Sequence, residues 1–107
     1  MNSYVFIINA VPSPSNNDCA NLAGANVHIW VISGDREKAK IEALDYVSSY
    51  LWDVVSVERE FEIWPEQIPV LPEREATLYQ RALQHRIAAD FLAYPKPKAD
   101  PDVSPTT

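Results

Sequence analysis

A chain of 107 residues with 47% hydrophobic side chains reads as one domain with one core. Its net charge of −6 opposes the polyanionic backbone of nucleic acid, and no block of Lys or Arg offsets it, so a nucleic-acid partner is not expected. Cys19 is the only cysteine, which excludes an internal disulfide and leads to the expectation of a cytoplasmic protein. The apolar start MNSYVFIINAV lacks preceding basic residues and a cleavage site, and no stretch approaches the roughly 20 apolar residues of a membrane span. No membrane association is expected either.

Tyr4 to Val11 predicts a first strand with apolar residues on both parities. Tyr4, Phe6, Ile8 and Ala10 share one face, and Val5, Ile7 and Val11 the other. Such a strand is covered on both sides and belongs in the middle of a sheet. Pro12 to Asn26 is rich in Pro, Ser and Asn and predicts a long exposed loop. Val27 to Ile32 predicts a second strand that is again apolar on both faces.

Ser33 to Asp35 supplies short polar side chains for a helix start. The helix that follows places Ala39, Ala43, Tyr46, Val47, Tyr50 and Leu51 on one face, with Ile41 nearly opposite. Val54 to Trp64 then alternates. Val55, Val57, Phe61 and Ile63 fall on one face with Arg59 as the exception, and Ser56, Glu58, Glu60 and Glu62 on the other. Prolines 65, 69 and 72 punctuate the next stretch and exclude a regular central strand. Pro72 opens a last helix expected to run to about Tyr94, with Ala76, Tyr79, Leu83, Ile87 and Phe91 along one side. Residues 95–107 carry four prolines, and the expectation is a disordered tail behind a domain over 1–94.

The expected architecture is an α+β domain of order ββαβα. It is a small three-stranded mixed sheet, a split βαβ of ferredoxin-like flavour, with two helices on one face. Two helices cover only one face of such a sheet, and both early strands are apolar on both, so a homodimer is expected to cover the second.

Two glycines, Gly24 and Gly34, exclude both glycine-rich phosphate cradles. Cys19, His28 and His85 form no close ligand pair, so neither metal nor cofactor is expected. A Cys19–His28 nucleophile pair would need the long loop to fold back over the sheet. From Asp53 to Gln67, five carboxylates against Arg59 leave a net −4 of the chain's −6. Glu58, Glu60 and Glu62, with Trp64 beside them, therefore predict a contact face for a protein partner, a basic one by charge. The leading expectation is a small acidic, non-enzymatic interaction module with no catalytic residue. The alternative is a small-molecule enzyme or ligand-binding domain with a pocket lined by His28, Tyr4 and Trp30.

Overall fold

Two long strands, β1 (Asn2–Pro12) and β2 (Leu22–Ser33), form an antiparallel hairpin in register from Asn2↔Ser33 to Ala10↔Ala25 in a computed structural model that describes residues 1–97. The connection is shorter than its composition implies. Leu22 to Asn26 join β2 because Ala25 and Asn26 pair with Ala10 and Asn9 on one side and with Ala93 and Leu92 on the other. Residues 13–21 form tight turns tied down by the Leu51 carbonyl, which accepts from the Ser13 amide and from Asn16 Nδ2, each at 3.0 Å.

Helix α1 (Arg36–Ser49) starts where Asp35 accepts the Glu37 amide, and it buries Ala39, Ala43 and Val47. These small residues let the helix lie close to Phe6, Ile8, Val27 and Ile29. Ile41 is exposed, as its position opposite that face requires. Strand β3 (Trp52–Ile63) returns on the far side of β1, so β1 lies between β2 and β3. A short 3-10 helix (Pro65–Val70) then leads into helix α2 (Glu73–His85).

The fold differs from expectation at three points. First, the sheet has four strands, not three, in the order β3-β1-β2-β4, and every neighbouring pair is antiparallel, so it is not mixed. The fourth strand, β4 (Ile87–Pro95), occupies the second half of the stretch expected to be helical. Arg86 adopts the left-handed conformation (φ 71°) and ends α2, and Ile87 onward pairs with β2 from Val31↔Ile87 to Leu22↔Pro95. The buried stripe of α2 is Leu78 and Ala82, whereas Leu83 is exposed.

Second, the helices lie on opposite faces. Tyr4, Phe6, Ile8, Val27, Ile29 and Val31 pack under α1, while Val5 and Trp30 pack under Leu78 and Ala82 of α2. Both apolar faces of β1 and β2 are therefore covered within one chain, and no second copy is needed to cover them.

Third, β3 does not keep one parity. Register shifts opposite Ile7/Ile8 and Asn9/Ala10 insert extra residues, so Val57 and Val54 pair with Ile8 and Ala10 on the α1 face. Phe61 and Arg59 pair with Val5 and Ile7 on the α2 face, and Val55 is left exposed. From residue 98 onward the proline-rich tail lies outside the described residues. The Lys96 amide still bonds the Asn21 carbonyl at 2.9 Å, continuing the line of β4. No described helix is long and apolar enough to cross a membrane.

Candidate functional site

On the α2 face the antiparallel register lines up Arg59, Ile7, His28 and Asp90, one from each strand. The next row toward the N-terminus of β1 is Phe61, Val5, Trp30 and Ala88. Helix α2 packs on β4 and β2, so its first turn stands over this part of the sheet beside the β1–β3 half. The gap is a cleft of about 400 Å³ whose walls include Ile7, His28, Trp30, Arg59, Phe61 and Glu75. Apolar walls with a few convergent polar groups are the usual make-up of a small-molecule site.

Glu75 organises the polar end. Pro72 precedes α2 and places Glu75 in its first turn, where a carboxylate is stabilised by the helix N-terminus. Its Oε1 accepts the Trp30 Nε1–H at 2.8 Å, and its Oε2 lies 3.3 Å from His28 Nδ1. Where the carboxylate accepts, Nδ1 carries the proton of this contact, and in the Nδ1–H tautomer of the ring the lone pair lies on Nε2. Among the described residues Nε2 has no hydrogen-bond partner. Trp30, 1% exposed, is held further by the Tyr79 ring at 5.7 Å between centroids. A buried indole and a half-buried imidazole thus share one carboxylate, which fixes the ring plane of His28 at the edge of the cleft.

His28 and Trp30 are together in this cleft, whereas Tyr4 is not. Even-numbered residues of β1 face α1, so Tyr4 lies on the opposite side of the sheet, with the Arg36 guanidinium 5.9 Å from its ring centre. The three acidic residues of β3 are also divided. Glu60 and Glu62 pair with Phe6 and Tyr4 on the α1 face, where Glu60 reaches Lys40 Nζ at 3.0 Å. Glu58 falls in a bulge and accepts a hydrogen bond from Ser56 Oγ. Trp64 is exposed and borders a second hollow of about 690 Å³, together with Met1, Pro65, Pro69 and Tyr79. That hollow is larger, but its polar groups do not hold one another in place as Glu75, His28 and Trp30 do. Cys19 lies in the hairpin loop with Sγ 3.8 Å from the Pro14 carbonyl oxygen, so it forms no pair with His28.

Glu75, Arg59, Phe61 and Asn26 complete the cleft, and sequence patterning did not single them out for it. Arg59 carried a signal, as the one charged residue on an otherwise apolar strand face. Glu75 carried none beyond its place after Pro72, because its partners lie 45 and 47 residues away. A separate aromatic group, Tyr46, Tyr50, Trp52 and Phe91, fills the α1 side near the hairpin loop. There burial pushes the Tyr46 hydroxyl above its usual value, its contact with Tyr50 adds to this, and Arg81 partly offsets both.

Among the described residues no group of three or more His, Cys, Asp and Glu side chains is placed to hold a metal ion. Comparison of the chain with protein-family models, with curated proteins and with solved structures finds no match.

Proposed function

We propose that this chain binds a small organic molecule in the cleft between α2 and the β1–β3 half of the sheet. The observation that carries this reading is the Glu75 carboxylate, which bridges Trp30 and His28 at the wall of a largely apolar cavity. The imidazole is held by Glu75 while its Nε2 stays open to solvent at the edge of the cleft, so a ligand donor can reach it without displacing any protein partner. His28 is the residue that reads the ligand; Ile7 and Phe61 supply the apolar floor.

A fragment mixture titrated into isotope-labelled protein tests the proposal. The expected result is a joint shift of the His28, Trp30, Arg59 and Phe61 resonances, lost in an Ile7→Trp variant that fills the cleft. Shifts confined to residues around Trp64 would reject it.

Trp64 supports a second reading, contact with another protein through the end of β3. Its indole is 54% exposed next to the wider hollow, and exposed tryptophans concentrate interface energy. In that reading the acidic residues of β3 select a basic partner. Trp64→Ala would then abolish capture of that partner while leaving the fragment shifts at His28 intact.

A further inference from the structure

We infer that the cleft ligand is an anion with an apolar body and a hydrogen-bond donor at its far end, of the hydroxyaryl carboxylate class. This rests on the cleft being the binding site. The charges around the cleft are unevenly satisfied. Glu75 is held by Trp30 and His28, and Asp90 by Arg74 Nε at 3.6 Å. The carboxylates nearest Arg59 in the chain are also engaged, Glu60 with Lys40 across the sheet and Glu58 with Ser56. Among the described residues Arg59 has no carboxylate within ion-pair distance, and its guanidinium stacks 6.0 Å from the Phe61 ring centre. Arg59 is thus the one cleft charge without a counter-ion, and its planar fork matches a carboxylate.

The second polar point is His28 Nε2, which accepts a proton donor. Arg59 and His28 flank Ile7 in one cross-strand row, so their Cα atoms lie roughly 9–10 Å apart, two strand spacings. A ring seated on Ile7 and Phe61, with a carboxylate toward Arg59 and a hydroxyl toward His28, spans that row.

The test compares 4-hydroxyphenylacetate with its neutral analogue 4-hydroxyphenylacetamide, at millimolar concentrations, by resonance shifts of His28, Trp30 and Phe61. The acid is expected to bind about tenfold more tightly than the amide, as one charge-assisted bidentate contact allows. In Arg59→Gln, an exposed substitution, that preference is expected to vanish. Equal binding of acid and amide would overturn the anionic ligand yet leave the cleft as a binding site. A preference that persists in Arg59→Gln would overturn the role of Arg59. No shift at the cleft with either compound would overturn this inference, whereas a failure of the fragment titration as well would remove the cleft itself.

Discussion

At the scale of single residues, Glu75 decides whether the α2 face is a site or a liability. The Trp30 indole N–H is buried, and Glu75 Oε1 is its acceptor at 2.8 Å. Removing that acceptor leaves a buried donor unpaired, which costs about 1–3 kcal/mol. Glu75→Ala should therefore destabilise the fold by about that amount in urea unfolding. Glu75→Gln keeps an acceptor for the indole, and its cost should stay below about 1 kcal/mol. The two variants should differ at His28: Glu75→Ala frees the ring, visible as exchange broadening of its ring protons, whereas Glu75→Gln turns an amide N–H toward Nδ1 and favours the Nε2–H tautomer. If Glu75→Ala were as stable as the parent, water would already be serving Trp30, and the shared carboxylate would organise nothing. Gly24 shows the same dependence on local detail. A Cβ there would lie 2.5 Å from the Tyr94 hydroxyl oxygen and 2.9 Å from the Ala10 carbonyl oxygen, so only glycine admits Tyr94 over the polar end of this face, where its hydroxyl bonds Asn9 Oδ1 at 3.4 Å.

At the scale of elements, the junction between α2 and β4 explains most of what the sequence concealed. Strand β1, the second half of β2, α1 and β3 are legible in alternation, helical spacing and the Asp35 cap, because each pattern is local. The stretch from Ile87 to Tyr94 satisfies two periods at once. Ile87 and Phe91 continue a helical stripe with Leu83, and Ile87, Ala89 and Phe91 also alternate as a strand would. What selects the strand is the open edge of β2, which offers a ladder that no short-range pattern reveals. The stop signal is hidden too, since the left-handed position is held by Arg86 where glycine is the common choice. A non-glycine residue in that conformation carries about 1–2 kcal/mol of strain. Arg86 also reaches both Glu42 carboxylate oxygens, at 3.2 and 3.1 Å, but exposed pairs of this kind contribute at most about 1 kcal/mol. Arg86→Gly should thus be close to neutral, while Arg86→Ala loses the pair and keeps the strain. Thermal unfolding should rank glycine above alanine by about 1 kcal/mol, the reverse of their order inside a helix. Alanine ranking first would mean that α2 does not end at this residue.

At the scale of the whole molecule, the consequence of four strands is a sheet with a helix on each side. The two-sided apolar pattern of β1 and β2 was visible in the sequence, and it correctly demanded two covers. What it could not tell was their source, because moving Ile87–Pro95 from helix to strand frees a shortened α2 to cross to the second face. The same step brings the His28 row and Glu75 together. Bulges in β3 were equally hidden, since an inserted residue changes the face of every residue beyond it without altering the composition. Two packed layers separated by a sheet should respond independently. Val47 of α1 is fully buried, and Leu78 of α2 is 2% exposed. Val47→Ala should cost about 2 kcal/mol and Leu78→Ala about 2–4 kcal/mol, transfer and cavity terms included. Because the residues share no partner, the double variant should lose the sum of the two to within about 0.5 kcal/mol. Helices lying side by side on one face would instead share a cavity wall, and their losses would couple by about 1 kcal/mol or more. A double-mutant cycle in urea therefore distinguishes the two arrangements, and a large coupling term would mean that the sheet does not separate the cores. Leu78→Ala should in addition weaken fragment binding in the cleft, because α2 positions Glu75, whereas Val47→Ala should leave it unchanged.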